Sequence, residues 1–211
     1  MAITVPNIIQ SSQNKEFHTA LKKNISVIEN ALSLAQVEEG LMGDNTAIFT
    51  PTNDSDRNYQ SALRLSKYVN TLKVCKRKDD IGCEDLYYNI SYGVKEWDKP
   101  DTYSTLSKVV LSDGTIYAIL QYPTCKDSIP ACKKDQYGKC LKDENGHDIM
   151  GYVWNKTNCA FLFIDVNGER GPNKYGQDNF RIIINRNNIV LENAYSALGG
   201  KIAKDIMINK I

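Results

Sequence analysis

Apolar residues recur at steps of three and four along the first forty positions of the chain. Between Pro6 and Glu39 no glycine and no second proline interrupts the sequence, and Gly40 and Gly43 follow. The apolar positions that share one face at helical spacing are Phe17, Leu21, Ile25, Ile28, Leu32 and Ala35. The pattern predicts an amphipathic helix of about 50 Å that ends at the glycines. Such a helix is longer than a domain of this size is wide, so we expect part of it to project.

A second helical pattern occupies residues 52–74, TNDSDRNYQSALRLSKYVNTLKV. Asp54 or Ser55 is the predicted N-terminal cap. The predicted buried face comprises Tyr59, Ala62, Leu63, Leu65, Val69 and Leu72. This helix would lead the chain directly to Cys75.

Later segments carry strand patterns. Residues 107–122, SKVVLSDGTIYAILQY, are two β-prone runs around Asp113-Gly114, which is a strong hairpin signal. Residues 159–166, CAFLFIDV, and 179–190, NFRIIINRNNIV, are further predicted strands. Residues 123–150 lack periodicity and are predicted to be a cysteine-stapled loop or insertion. Helices followed by strands with hairpin-length connections indicate an α+β fold, with the long N-terminal helix packed on an antiparallel sheet.

These patterns divide the chain into an N-terminal helix, residues 1–43, and a globular part, residues 44–211. A cysteine-rich loop region covers residues 123–159. The cysteines are Cys75, Cys83, Cys125, Cys132, Cys140 and Cys159. An even set in a polar region favours disulfides and an oxidising compartment, because a zinc site needs closer pairs or histidines. Connectivity stays open, although Cys75 with Cys83 is the pairing we predict.

Charge and targeting signals add two expectations. Lys plus Arg number 26 and Asp plus Glu number 25, so the charge balance predicts no nucleic-acid partner. The N-terminal residues MAITVPNII have no basic region and no cleavage site of an export signal. A disulfide-bonded protein is normally exported, so we expect the natural gene to encode a membrane or export segment before Ala2.

No recognisable catalytic motif occurs in the sequence. His18 lies in the long predicted helix and His147 in a polar loop, without metal-ligand spacing between them. No Gly-x-Ser-x-Gly, phosphate-binding or dinucleotide motif is present. The sequence therefore predicts no catalytic residues and a protein that is not an enzyme.

Residues 161–180, FLFIDVNGERGPNKYGQDNF, are more elaborate than a hairpin turn requires. Asp165, Asn167, Asn173 and Asp178 offer oxygen ligands, and glycines allow backbone carbonyls to turn inward, as calcium sites need. We predict a candidate calcium site at Asp165, Asn167 and Asp178. The alternative is a metal-free connection in which Asp and Asn hydrogen-bond their own backbone. Asp143, Asn145 and Asp148 form a weaker second candidate.

Three stretches together resemble the type IV pilin-like and type II secretion pseudopilin family. Residues 2–40, AITVPNIIQSSQNKEFHTALKKNISVIENALSLAQVEEG, resemble the later part of its N-terminal helix. Residues 163–180, FIDVNGERGPNKYGQDNF, are similar to a loop between its late strands, and residues 111–119, LSDGTIYAI, are typical of its first hairpin. The cysteine-rich region has no counterpart. The family's basic leader, cleavage glycine and apolar half-helix do not occur in this sequence.

The resemblance implies a structural role. Such proteins are inserted in the bacterial inner membrane, trimmed by a prepilin peptidase and assembled into a filament, with the globular domain periplasmic or extracellular. The implied assembly helix includes Pro6, Ile9, Phe17, Leu21, Ile25, Ile28 and Leu32. In major pseudopilins a Gly- and Asp-rich loop between late strands binds calcium, which supports calcium as a candidate cofactor here. The expected partners are other pilin or pseudopilin subunits. The alternatives are a minor pilin-like adhesin or DNA-uptake module, and a secreted calcium-dependent hydrolase.

Overall fold

A computed structural model of the chain describes residues 4–91, 103–125, 129–132, 135–137, 139–147, 149–154 and 158–191. Its first element is the long helix α1, Thr4–Glu38. The helix ends where Gly40 adopts a positive φ of 66° and Leu41 donates its backbone N–H to the carbonyl of Gln36 at 2.8 Å. The predicted helix and its glycine stop are both confirmed.

The predicted apolar stripe of α1 packs on the protein's own sheet. Leu21, Ile25, Ile28 and Leu32 are buried, and Phe17 packs beside them as a partly buried residue. Among the side chains described, which begin at Ser12, Phe17 is the most N-terminal apolar contact of α1 with this core. It lies about 20 Å along the helix axis from Thr4.

The second predicted helix is wrong in its length. Helix α2 covers only Arg57–Leu65, with Asp56 in the N-cap position, and the chain then forms strand β1, Thr71–Cys75. Ser66 and Tyr68 donate backbone bonds to Ala62 and Leu65, which close the last turn. Leu72, a predicted buried helix residue, is 67% exposed. The segment Thr71–Cys75 forms a strand because it pairs with a neighbouring strand. The helical spacing of its own residues does not reveal this pairing.

The sheet has six strands in the order β1-β2-β3-β6-β7-β8, and all neighbours are antiparallel. The further strands are β2 (Ser107–Leu111), β3 (Ile116–Gln121), β6 (Asn158–Asp165), β7 (Asn179–Asn185) and β8 (Ile189–Leu191). The predicted Asp113-Gly114 hairpin joins β2 to β3 and is confirmed. The α+β architecture with an antiparallel sheet is also confirmed.

The segment between β3 and β6 forms a separate small sheet. Strands β4 (Ile129–Cys132) and β5 (Met150–Trp154) pair with each other in an antiparallel hairpin. The sequence predicted only a stapled loop here, because the hairpin strands carry no clear alternation of apolar and polar residues. The loop inside the hairpin is closed by a disulfide between Cys132 and Cys140.

Both faces of the main sheet are covered. Val109, Tyr117 and Leu162 point to the face that α1 and α2 cover, and they belong to the largest core cluster. Val110, Ala118 and Phe163, one position further along each strand, point to the opposite face. Short 3₁₀ helices at Glu84–Leu86 and Tyr103–Thr105 flank the second face. Buried polar groups on this second face form the candidate site.

All six cysteines are paired in three disulfides. The predicted Cys75–Cys83 bridge is present, beside Cys125–Cys159 and Cys132–Cys140. Cys125–Cys159 joins the chain just after β3 to strand β6, so it closes the base of the β4–β5 insertion. Within the described part of the chain, no helix is long and apolar enough to cross a membrane.

Candidate functional site

The connection from β6 to β7, residues 165–179, is the structural counterpart of the elaborate loop seen in the sequence. It contains a 3₁₀ turn at Gly168–Arg170 and a cis peptide bond between Gly171 and Pro172. Gly168 has a φ of 64°, and a side chain there would meet the backbone oxygen of Gly114 at 2.7 Å. Glycine is therefore required for this loop to pack against the β2–β3 turn.

Asp178 organises the second half of this loop. Its carboxylate accepts backbone N–H bonds from Asn173 and Lys174, both at 2.7 Å. Its own backbone carbonyl accepts the N–H of Val166 at 3.0 Å, which ties the two ends of the loop together. Asp178 is fully buried. A buried carboxylate held in this way fixes the loop backbone before any ligand binds.

Asp165 is the second buried carboxylate of the loop. Its Oδ2 accepts the hydroxyl proton of Tyr88 at 3.0 Å and the amide of Asn179 at 3.3 Å. Burial raises the pKa of Asp165 to about 7, and the nearby negative charge of Asp178 acts in the same direction. Hydrogen bonds from Asn179, Tyr88 and Asn167 offset part of that rise. The two carboxylates therefore destabilise each other when both are ionised.

Three amide oxygens of the same loop lack hydrogen-bond partners. The Oδ1 atoms of Asn167, Asn173 and Asn179 are buried and unpaired in the part of the chain that the structure describes. Asn179 is fully buried as a residue, although its nitrogen donates to Asp165. An unpaired buried acceptor costs about 1–3 kcal/mol, so three in one loop are a signal for an absent donor or cation.

The donor set fits a hard cation. Carboxylate and amide oxygens are ligands that calcium prefers, and calcium takes six to eight of them. Asp165, Asp178 and the three asparagines supply such oxygens, and nitrogens of the asparagines donate hydrogen bonds to the two carboxylates within the same loop. Among the described residues no group of three or more His, Cys, Asp and Glu side chains is arranged to hold a metal. Any cation here must therefore rely on amide oxygens as well as on the two carboxylates.

A buried lysine lies on the same face of the sheet. Lys108 on β2 is fully buried, and its Nζ donates to the carbonyls of Tyr103 at 2.6 Å and Leu106 at 3.2 Å. The Nζ also lies 4.0 Å from the ring centre of Tyr87 and 4.4 Å from that of Tyr103. Burial lowers the pKa of Lys108 to about 7, and the charge of Asp165 partly opposes this.

Tyrosines connect Asp165 with the lysine cluster. The hydroxyls of Tyr88 and Tyr103 lie 3.0 Å apart, so Tyr103 can donate to Tyr88 while Tyr88 donates to Asp165. Burial raises the pKa of both tyrosines, and the negative charge of Asp165 adds to that effect. Both hydroxyls thus stay protonated, and the network contributes hydrogen-bond donors rather than a base.

The structure brings the predicted ligands Asp165, Asn167 and Asp178 into one loop. Sequence reasoning missed Asn179, Tyr88 and Lys108, which reach the site from β7, from the segment before residue 92 and from β2. Only Asn179, next to Asp178, carried a local signal. In the weaker candidate, Asp143 accepts N–H bonds from Asn145 and His147 as a simple turn does, and Asp148 lies outside the described residues.

The residues predicted for the assembly helix fall into two groups. Leu21, Ile25, Ile28 and Leu32 face the sheet of their own chain, with Phe17 at the edge of that packing. The side chains of Pro6 and Ile9 lie outside the described residues. Comparison with known proteins adds no relative to this picture: no protein-family model, no curated protein and no solved structure matches the chain.

Proposed function

We propose that this chain is a structural subunit of a bacterial type IV pilus or type II secretion pseudopilus that assembles through α1. The observation that carries the proposal is the shape of α1. The helix has 35 residues, and among its described side chains, which begin at Ser12, the first to pack in the core is Phe17, about 20 Å along the axis from Thr4. A helix that extends beyond its own core offers surface to neighbouring subunits.

The rest of the fold supports the same proposal. The antiparallel sheet forms a shell on one side of α1, and all six cysteines are paired, as suits a domain outside the cytoplasm. The β6–β7 loop also reaches α1, because Gln177 donates to the side chain of Asn14 at 3.4 Å. The loop thus lies beside the part of the helix that we assign to assembly.

The test is to express the native gene in a bacterium that makes these filaments and to probe sheared filaments with an antibody. We expect the chain in the filament fraction of the normal strain. In a strain without prepilin peptidase, we expect it only in the membrane fraction. Finding the chain in the cytoplasmic fraction of both strains would refute the proposal.

We further propose that the β6–β7 loop binds calcium through Asp165, Asp178 and the amide oxygens of Asn167, Asn173 and Asn179. A bound calcium ion would supply positive charge near the two buried carboxylates and partners for the unpaired acceptors. The protein's own part is to hold the loop backbone in place through Asp178. Calcium would thereby fix the surface next to Asn14.

Thermal unfolding measures this binding. At pH 8 we expect calcium to raise the melting temperature of metal-stripped protein, with a stabilisation of about 2.7 kcal/mol at a hundredfold excess over Kd. Asp165→Asn should melt at a higher temperature than the wild type in chelator, because one of two adjacent buried charges is removed. The same variant should lose the calcium response.

Asp143→Asn is the matched control, since Asp143 belongs to the weaker candidate loop and accepts similar backbone bonds. This variant should keep the full calcium response. Equal melting temperatures for stripped wild-type protein with calcium and with chelator would leave the loop as a metal-free turn. A calcium response that survives Asp165→Asn but not Asp143→Asn would move the site to the other loop.

The β4–β5 hairpin favours a second candidate function, a minor pilin-like adhesin. The hairpin pairs with itself rather than with the main sheet, and its loop is stapled by Cys132–Cys140. Tyr137 in that loop is 85% exposed, which suits contact with a sugar or a base. Pull-down on glycan and DNA arrays should then capture the wild type but not Tyr137→Ala. Equal signals for both proteins would remove this candidate.

A further inference from the structure

Residues 84–91, which we call the covering segment, lie over the second face of the sheet. Tyr87 and Ile90 point inward, with exposures of 9% and 7%, whereas Asn89 between them is exposed. The ring centre of Tyr87 lies 4.0 Å from the Nζ atom of Lys108, and Ile90 packs in the apolar cluster of this face. The covering segment therefore shields both the lysine and apolar surface from solvent.

The first end of the covering segment is fixed covalently. Cys83, directly before it, forms a disulfide with Cys75 at the end of β1. The backbone N–H of Leu86 donates to the carbonyl of Cys83 at 3.1 Å, within the 3₁₀ turn Glu84–Leu86. The disulfide keeps this end beside the sheet even when non-covalent contacts at the other end break.

The second end of the covering segment is held by the β6–β7 loop. The backbone N–H of Ser91 donates to the carbonyl of Asn173 at 2.8 Å. The carbonyl of Ser91 accepts the N–H of Tyr175 at 3.0 Å. Between the two ends, the hydroxyl of Tyr88 donates to the carboxylate of Asp165 at 3.0 Å. All three bonds end on the same loop, so the second half of the covering segment can move away only when it separates from that loop.

One peptide group links the covering segment to the candidate calcium site. The N–H of the peptide between Asn173 and Lys174 donates to the carboxylate of Asp178 at 2.7 Å. The carbonyl of the same peptide accepts the N–H of Ser91. Asn173 also carries one of the buried amide oxygens that lack a partner within the described residues. A cation that binds the closed loop therefore favours the backbone arrangement that holds Ser91.

We propose that the covering segment is a conformational switch, held closed over Lys108 by the β6–β7 loop when that loop binds calcium and released when calcium is lost. The inference rests on the calcium binding proposed above and gives it a regulatory role. In calcium-free protein, the charges of Asp165 and Asp178 repel each other and the amide oxygens stay unpaired, so the closed loop is less stable. The open state exposes the Lys108 amine and the apolar side chains around Tyr103 as a contact surface.

Hydrogen exchange and acylation of Lys108 measure this opening in the full chain. The N–H groups of Ser91 and Tyr175 report the bonds that hold the covering segment, and the N–H of Ile119 in the centre of β3 reports global unfolding. In chelator at pH 8 we expect Ser91, Tyr175 and Lys108 to be less protected than Ile119. Calcium at a hundredfold excess over Kd should raise their protection about a hundredfold. Acylation of the exposed Lys78 should not change.

Two variants test the contacts without relying on calcium. Tyr88→Phe removes the hydroxyl bond to Asp165 and keeps the ring, so in chelator it should speed Lys108 acylation about tenfold. Tyr137→Phe is the matched control, because Tyr137 is 85% exposed and lies in the β4–β5 hairpin. It should leave the rate unchanged.

Asp178→Asn is the second variant. It weakens the hold on the peptide that accepts Ser91, and it should speed Lys108 acylation in chelator as well.

The switch and the calcium site fail in different ways when calcium binding is measured separately by calorimetry. If calcium binds but leaves Lys108 acylation unchanged, the switch is wrong and the calcium site stands. If no calcium binds, the calcium site is wrong and calcium control of the switch falls with it. Faster acylation in Asp178→Asn would then show that the loop alone holds the covering segment. Lys108 as well protected as Ile119 in chelator would overturn the switch, because only global unfolding would then expose the lysine.

Discussion

Lys108 and Asp165 are ionisable residues in an environment far from their ordinary one. Both are fully buried on the same face of the sheet, and burial brings both pKa values to about 7. The Lys108 ammonium lies over aromatic rings and donates to backbone carbonyls. The Asp165 carboxylate accepts hydrogen bonds from Tyr88 and Asn179. The charged form of each group is therefore less stable in the folded protein than in the unfolded chain.

The pH dependence of stability should reflect both groups. The pKa of Asp165 rises from 3.8 to about 7 on folding, so its contribution to stability is full at low pH and is lost as pH rises to 7. The pKa of Lys108 falls from 10.5 to about 7, so its contribution is full above pH 10.5 and is lost as pH falls to 7. We expect these two groups to give a stability minimum near pH 7.

Urea unfolding of calcium-free protein between pH 5 and pH 10 measures this profile. Asp165→Asn should flatten the acidic arm alone, and Lys108→Met should flatten the alkaline arm alone. A wild-type profile with its maximum at pH 7, unchanged in shape by either substitution, would contradict the assignment.

At the scale of elements, the β6–β7 loop depends on glycine at position 168. Ala at this position requires a positive φ and brings Cβ within 2.7 Å of the Gly114 carbonyl oxygen. We expect Gly168→Ala to destabilise the fold by more than about 2 kcal/mol. Gly43→Ala is the matched control, because Gly43 has a φ of 75° with nothing within 4 Å. That change should cost only about 1 kcal/mol, and equal effects would show that φ alone matters.

The disulfides should differ in their contributions. Cys125–Cys159 spans 34 positions and Cys75–Cys83 spans 8. Loop-closure entropy then gives about 4 kcal/mol for the first and about 2.5 kcal/mol for the second. Paired Cys→Ala variants followed by urea denaturation measure both values. A larger loss for the Cys75–Cys83 pair would show that packing around that bridge outweighs chain entropy.

The elements that sequence analysis predicted are those whose signal is local. The spacing of Phe17 to Ala35 and the glycines after it define α1, and Asp113-Gly114 defines the β2–β3 hairpin. Strand β1 was mistaken for helix because its strand character comes from pairing with β2, some forty positions later. The spacing of residues within one short segment does not show which distant strand that segment pairs with.

The residues of the candidate site likewise fall into those with a local sequence signal and those without one. Asp165, Asn167 and Asp178 lie within one short segment, so glycines and oxygen-bearing side chains together predicted them. Lys108 and Tyr88 reach the site through the fold, and their neighbours in sequence give no hint of it. The unpaired amide oxygens are a property of the folded loop and could not be predicted from residue types alone.

At the scale of the whole molecule, the three bridges should be the complete native set. Peptide mapping without reduction should recover Cys75–Cys83, Cys125–Cys159 and Cys132–Cys140, with no alkylatable thiol. This pairing nests one bridge inside another, because Cys132–Cys140 lies between Cys125 and Cys159. Recovery of a crossed pairing, such as Cys125 with Cys140, would contradict the topology.

The adjacency of β3 and β6 has a consequence for how this chain can change over time. Gln121 and Ala160 are register partners, so the two strands would form an ordinary hairpin if the segment between them were short. Cys125–Cys159 joins the two ends of that segment, so the main sheet does not depend on the residues between the two cysteines to hold β3 next to β6. The β4–β5 hairpin can therefore be replaced without disturbing the pairing of the main sheet. Selection can remodel its outer surface while the sheet and α1 stay constant.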